Sequence, residues 1–238
     1  MPCFYTPELT NKSKLITISG SEHHHITRVF RFNVGKEINL NSGNGVYAQA
    51  KIVEVTKKEL TCEILKFIPK EKYSPKIAVA FSLLRNKNDL LLVEKLTELG
   101  VTELFPFESE YSVRKASTNT TDKFLTTAIE AIKQCDNSYL PIVNETKSLN
   151  NQLEFIKEKN YKTIVASEIE QSKTLKELFP GKIEENICLL IGPEGGFSEQ
   201  EFTYFTEQNY AQIKLGVNIL RAETAAICAL SQLITFLL

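Results

Sequence analysis

The runs Leu189–Glu201, LLIGPEGGFSEQE, and Leu215–Ala226, LGVNILRAETAA, decide how the rest of this 238-residue chain is read. Ile187 to Ile191 (ICLLI) is an unbroken apolar pentamer, the pattern of a strand buried on both faces. It stops at Gly192, and Gly192-Pro193-Glu194-Gly195-Gly196 follows. Glycines so spaced permit positive φ and let a ligand approach bare backbone. Ser198 and Glu201 have the S-x-x-E spacing of a capping box, with Phe202 and Phe205 at helical spacing behind them. The order is buried strand, glycine turn, helix start, and open α/β sheets bind ligands at such strand ends.

The second run begins in the same way. Ala211 to Leu215 (AQIKL) predicts a short strand ending at Gly216. Arg221 leads into a helix that is apolar almost all round from Ala225 to Leu238, a pattern buried in a core or against a second subunit. Glu223 falls in its first turn, where a carboxylate complements the helix dipole. Each glycine end alone is an ordinary βα turn. Two of them, with Arg221 and Glu223 nearby, build a cleft made mostly of backbone.

Upstream, strands and helices alternate. Strands are predicted at 76–84, 101–107 and 161–167, with a short extended piece at 139–143. Helices are predicted at 88–100, stopped by Gly100, and at 121–135, with Phe124, Ala128, Ile132 and Cys135 on one face. Two more fall at 149–159 and 174–179. Repeated βα units imply a mainly parallel sheet covered on both faces. There is no G-x-G-x-x-G after the first of these strands and no G-x-x-x-x-G-K-[ST] anywhere, which removes the main support for a Rossmann dinucleotide site or a P-loop.

Pro69 to Pro75 (PKEKYSP) is a polar, proline-bounded stretch and a domain boundary. Before it, residues 13–20, 36–45, 46–55 and 60–68 alternate with period two, and Ser42-Gly43-Asn44-Gly45 is a hairpin signal. This is a small all-β unit, interrupted by SEHHHITRVFRFNVG (21–35), which reads as one helix capped at Ser21. His23, His24 and His25 do not read as a metal site. Successive helical residues point about 100° apart, and no Cys or carboxylate has ligand spacing to them.

The net charge of −1 argues mildly against a nucleic-acid partner. Basic residues nevertheless gather at Arg28–Arg31–Lys36, Arg85–Lys87 and Arg114–Lys115, as solvated faces or as phosphate contacts. The 5 cysteines lie apart, without a C-x-x-C pair, and read as reduced, mostly buried thiols of a cytoplasmic protein. No apolar run approaches about 20 residues, so no membrane span is expected. MPCFYTPEL has no basic stretch before an apolar one, so no signal peptide is expected.

GPEGGFSEQE followed by LG-x-x-ILR-x-ETA resembles the signature of the SPOUT methyltransferases and, within them, of the RsmE family. VEKLTELGVTELFPF (93–107) and EAIKQC (130–135) resemble further family segments, so the resemblance covers essentially the whole chain. His24, His25, Val29, Arg31 and Gly35 match the family pattern H-H-x-x-x-V-x-R-x-x-x-G. The resemblance implies an α/β fold. A SPOUT-type parallel sheet with a C-terminal trefoil knot would occupy 76–238, preceded by a small PUA-like β-barrel of RNA-binding type at 1–70. It implies S-adenosyl-L-methionine-dependent methylation of N3 of a uridine in 16S ribosomal RNA of the small ribosomal subunit, by a homodimer joined through the apolar C-terminal helix. Cofactor contacts are implied at Leu190, Ile191, Gly192, Glu194, Gly195, Gly196, Leu215, Gly216, Ile219, Leu220 and Thr224. Arg221 is implied to stabilise negative charge developing on the base. Glu223 is either a proton acceptor or simply a helix-start residue. RNA contacts are expected at Arg28, Arg31, Arg85, Arg114 and Lys115, with Phe30 and Phe32 in the core.

The chain departs from the family pattern at four positions. Asn218, Tyr111 and Asn137 stand where the family usually has Arg, and Ala222 where it usually has Thr. Arg114, three residues beyond Tyr111, is a possible substitute for the first of these arginines. The departures bear on the substrate half of the site and leave the cofactor half intact. Two competing readings remain: a non-catalytic RNA-binding or ribosome-assembly protein with a degenerate SPOUT site, and a small-molecule α/β enzyme with a glycine-turn phosphate site.

Overall fold

The computed structural model describes residues 1–170 and 173–237. They form two compact units: Met1–Lys72 with Ile129–Leu140, and Tyr73–Ala128 with Pro141–Leu238.

The first unit holds β1 (Cys3–Tyr5), β2 (Leu15–Ser19), α1 (Gly20–His24), β3 (Glu37–Asn41), β4 (Tyr47–Val55) and β5 (Glu59–Phe67). Its sheet order is β1-β3-β4-β5-β2. β1 runs parallel to β3 and the other pairs are antiparallel. Register shifts in β4–β5 at Gln49/Ala50 and Ile52/Glu54 bend the sheet. The inner faces of all five strands meet in one cluster: Phe4, Ile16, Ile18, Ile38, Leu40, Ala50, Ile52 and Leu60, with Ile26 from the helical segment. A flat sheet could not bring both edges to one core, so this sheet curls as the β-barrel expectation required. The helix expected over 21–35 is shorter and begins earlier. Ser19 is its N-cap, α1 ends at His24, and a π-helical turn, His25–Val29, follows. Arg31 then adopts φ +56°, which no helix can propagate. β1 was absent from the sequence expectation.

The return segment Ile129–Leu140 packs into this unit. Lys133 is buried, with Nζ 2.9 Å from Glu22 and 2.8 Å from Glu130. The Tyr47 hydroxyl donates to Asp136 at 2.6 Å. These partners tie the end of α3 (Thr120–Gln134) to α1 and β4.

In the second unit β6 (Ile77–Ser82), β7 (Glu103–Glu108), β8 (Ile142–Val143), β10 (Lys162–Ala166), β11 (Ile187–Ile191) and β12 (Ala211–Ile213) form a sheet of order β12-β10-β11-β6-β7-β8, with β9 (Lys147–Ser148) also on β7. Every pairing is parallel. β6 and β11 are buried at every position, which accounts for their unbroken apolar sequences. Around them lie α2 (Asn88–Glu98), the start of α3, α4 (Leu149–Glu158), α5 (Leu175–Leu178), α6 (Glu199–Glu207) and α7 (Ala222–Ile234). α4 packs on β7 and β10, while α7 packs on α2, β6 and β11. Helix α7 buries Ala222, Ala226, Ala229, Leu230, Leu233 and Ile234 and exposes Thr224 and Ser231. Among the described residues no helix is long and apolar enough to cross a membrane.

Candidate functional site

Because these strands are parallel, the segments leaving β6, β7, β10, β11 and β12 emerge at one edge of the sheet. The turn Gly192–Gly196 is gripped there from three sides. The Arg85 amide, after β6, donates to Glu194 Oε1 at 2.9 Å. Tyr111, after β7, lies against Gly195, where an added Cβ would sit 3.2 Å from the Tyr111 Cβ. Glu168, after β10, lies over Gly196, whose φ of +73° is the left-handed conformation that favours glycine. The turn is closed by Gly196 N–H donating to the Pro193 carbonyl at 3.0 Å.

The capping box exists. Ser198 Oγ accepts from the Glu201 amide, and Glu201 Oε2 accepts from the Ser198 amide at 2.8 Å. Glu201 Oε1 also accepts from the Glu110 amide at 3.0 Å, so one carboxylate joins the start of α6 to the loop after β7. Beneath that loop Ser82, Ser109 and Ser112 form a buried hydroxyl network, with Ser82 Oγ 2.7 Å and Ser109 Oγ 2.9 Å from Ser112 Oγ.

The second run behaves differently. The strand ends at Ile213, two residues before the predicted end, because the Lys214 amide turns to the Lys173 carbonyl at 2.8 Å. The Leu215 carbonyl accepts from Gln232 Nε2 at 2.9 Å, which fastens the loop to α7. From Gly216 the loop stands free, with Val217 99% and Ile219 85% exposed and no atom within 4 Å of a Cβ placed on Gly216. Leu220 is half-buried and Asn218 exposed. Arg221 is exposed and occupies the N-cap of α7 without a side-chain cap, so among the described residues no capping side chain takes up the first-turn amides of Ala222, Glu223 and Thr224. Leu190 and Ile191 are buried in β11. They reach a ligand only through the strand's end.

The basic residues separate into two kinds. Arg114 pairs with Asp89, which is 1% exposed, and desolvation lowers the guanidinium pKa. Lys115 lies 3.1 Å from Glu108. Arg85, Arg28 and Arg31 are exposed, and their guanidinium groups have no carboxylate partner among the described residues. Arg28, Arg31 and Asn137 belong to the first unit, where the Asn137 carbonyl accepts from Asn41 Nδ2 at 2.8 Å. His23 is buried with Nε2 3.2 Å from the Thr56 carbonyl, whereas His25 packs on Phe30. Phe32 is half-buried, but Phe30 is 39% exposed, which corrects its placement in the core. Burial pushes the Cys3 thiol up to about 11 and the Cys62 thiol up to about 12, and raises Cys188 as well. None of these three is a ready nucleophile.

Three features escape the sequence reading. Glu168 against Gly196, the serine network and the Asp89–Arg114 pair all depend on contacts between segments far apart in the chain. Only Glu168 carried a signal, as a carboxylate at the exit of a predicted strand.

Sheet and turns define an α/β protein with a braced glycine turn at the strand carboxyl ends, where open α/β sheets bind ligands, joined in sequence to a small curled β module. Comparison with known proteins narrows this. The RNA methyltransferase domain family matches residues 71–234, and the RNA methyltransferase PUA domain matches 18–65. Ribosomal RNA small subunit methyltransferase E of Bacillus subtilis is 28% identical over 236 residues, covering 95% of this chain and 92% of that protein. Its Aquifex aeolicus namesake is 29% identical over 240 residues, covering 99% and 100%. The crystal structure of the Neisseria gonorrhoeae enzyme of that name, bound to S-adenosyl methionine, superposes with a TM-score of 0.87 at 26% identity, covering 99% of this chain and 97% of that one. The chain belongs to the RNA methyltransferase family.

Proposed function

We propose that this protein transfers a methyl group from S-adenosyl-L-methionine to N3 of a uridine in 16S ribosomal RNA of the small ribosomal subunit, acting in the cytoplasm as a homodimer. The observation that carries the reading is the Gly192–Gly196 turn, braced from the exits of β6, β7 and β10, within a segment that matches the RNA methyltransferase domain. The SPOUT trefoil knot expected near 189–226 belongs to the same reading.

The site suits the cofactor. Gly216 leaves space around bare backbone, Val217 and Ile219 offer apolar surface, and the uncapped start of α7 offers amide donors. The residues that would hold it are Leu190, Ile191, Gly192, Glu194, Gly195 and Gly196 with Leu215, Gly216, Ile219, Leu220 and Thr224. When bound, it supplies a methyl group on a positively charged sulfur.

N3 of a uridine becomes nucleophilic once its proton is lost, so the protein must stabilise negative charge on the base. Arg221 is assigned that role, because its guanidinium has no carboxylate partner among the described residues. Glu223, half-buried one residue inside the helix, is the assigned proton acceptor. Arg28, Arg31 and Arg85 would contact phosphates, giving affinity without sequence choice. Arg114 and Lys115 would support the loop after β7 through their own carboxylates as well as face RNA.

Mass spectrometry of 16S ribosomal RNA from cells lacking the protein tests the proposal. One uridine should lose its N3-methyl group and regain it when the gene is restored. An unchanged methylation profile would refute the reaction. Absence of S-adenosylmethionine binding in calorimetry would instead favour a non-catalytic RNA-binding protein.

A further inference from the structure

We propose that Phe30 is a stacking platform for an unpaired RNA base, carried by the curled β module. The inference rests on the RNA-methyltransferase reading and adds a nucleotide subsite to it. Residues two apart on a helix point to opposite sides. Phe30 and Phe32 nevertheless sit with ring centroids 5.3 Å apart and planes 38° from parallel. The break that permits this is the π-helical turn His25–Val29 followed by Arg31 at φ +56°. Both features are uncommon, and both tend to occur where function requires them. The Phe30 amide donates to the His25 carbonyl and the Phe32 amide to the Ile26 carbonyl, each at 3.0 Å, so backbone hydrogen bonds hold both rings' residues in the distorted turn.

The Phe30 ring is braced from behind. Buried Phe4 meets it edge-on at 5.5 Å and 87°, and His25 lies at 5.1 Å. A ring held by three aromatic neighbours has already lost the freedom that stacking would cost. It still leaves 39% of its surface open, beside Val29 at 61%.

The surrounding charge selects the occupant. Arg28 and Arg31 flank the ring in sequence, are exposed, and have no carboxylate partner among the described residues. Lys36 holds its ammonium 5.1 Å from the centroid of the neighbouring Phe32 ring. An apolar protein segment would gain nothing from cations so close in the chain to an exposed ring. A duplex offers phosphates but hides its base faces. Single-stranded RNA presents both a π face and adjacent phosphates.

The chain contains 0 tryptophans, so Phe30→Trp in the full-length protein creates a single tryptophan at the platform, which is excited selectively over the 8 tyrosines at the red edge of the absorption band. Its emission should be quenched by a short uridine-containing single-stranded RNA, and much less by the same sequence in a duplex. Phe30→Leu keeps the apolar packing on Phe4 but removes the π face. It should weaken single-strand binding about 5- to 100-fold with an unchanged salt dependence, while Arg31→Ala should lower the salt slope. Thermal unfolding of both Phe30 variants close to that of the native chain establishes that the fold survives. No quenching, together with unchanged affinity of Phe30→Leu, overturns the platform. If the native protein meanwhile methylates ribosomal RNA, only the platform falls. If the native protein neither binds RNA nor methylates it, both readings fall.

Discussion

Replacing Gly196 with alanine tests whether the shape of the glycine turn is what makes the site. At φ +73° an L-residue costs about 1–2 kcal/mol. The added Cβ would also lie 2.3 Å from Glu168 Oε1. Glu168 is exposed and its carboxylate is the far end of a flexible chain, so a rotation of that side chain relieves the contact. The backbone term therefore dominates. If the turn holds its shape, the chain loses about 1–2 kcal/mol and its Tm falls by about 2–8 °C. If the turn relaxes, stability is spared and the strain must be restored when cofactor binds, weakening S-adenosylmethionine by about 5- to 30-fold. Differential scanning fluorimetry and calorimetry on one preparation read both quantities. The double variant Glu168→Ala/Gly196→Ala removes the close contact and leaves the φ cost. Complete rescue by Glu168→Ala would refute the assignment to backbone strain. A single variant with Tm within about 1 °C and affinity within about twofold of native would refute the importance of the turn's shape altogether.

Arg221→Ala should reduce methyl transfer by about 10²–10³-fold. Since Arg221 is exposed and caps nothing with its side chain, Tm and cofactor affinity should stay near native in labelled-methyl, melting and calorimetric assays. Arg114→Ala strands Asp89, which is 1% exposed, and because the Arg114 side chain is 27% exposed the cost should be nearer 2–3 kcal/mol than the ~3–5 of a fully buried pair. Urea denaturation measures it, and Asp89→Asn on top should recover part of the loss. Glu201→Ala should destabilise more than Ser198→Ala, whose cap is worth about 1 kcal/mol, because Glu201 accepts from two backbone amides in different loops. Cys3 and Cys62 stay protonated in the fold to about 11 and about 12, against an ordinary 9.0. The unfolded chain therefore releases those protons first, and stability, complete below pH about 9, declines as pH rises through about 11–12. The unfolding free energy from urea denaturation should drop between pH 8 and pH 10 by about 1 kcal/mol per thiol, and Cys62→Ala should remove its share.

What the sequence reveals and what it hides divide along a physical line. β11, the capping box and the helix boundaries near Gly100 and Ser198 follow from neighbours in the chain, and such features can be read directly. β1 has three residues and exists because β3 offers it a parallel partner, so no local pattern marks it. The helix expected over 21–35 carries good helical residues, yet it breaks at Arg31. Propensity, a few tenths of a kcal/mol per residue, yields to the burial of Ile26 and the turn that returns the chain to β3. In the candidate site, Gly192–Gly196 was legible as a turn, but its three braces were not. Arg85, Tyr111 and Glu168 reach it from other strands, and only the sheet order β10-β11-β6-β7 brings them together.

The net charge shows the same limit for function. A value of −1 argued against a polyanion partner, yet a sum over the chain takes no account of which charges are already satisfied. Lys95 and Lys133 each face two glutamates, Lys159 faces Glu103, and Arg114 and Lys115 hold Asp89 and Glu108. Those carboxylates cancel cations locally, so the pairs put little net field into solvent. Arg28, Arg31 and Arg85 are exposed, their guanidinium groups without carboxylate partners among the described residues, and two of the three flank one braced aromatic ring. Distribution, not net charge, therefore decides whether a near-neutral protein can hold RNA. Adding salt should weaken RNA binding in proportion to the cations that contact phosphate: with Arg28, Arg31 and Arg85 as those contacts, the log–log slope is about −2 to −3 rather than one set by all 28 lysines and arginines.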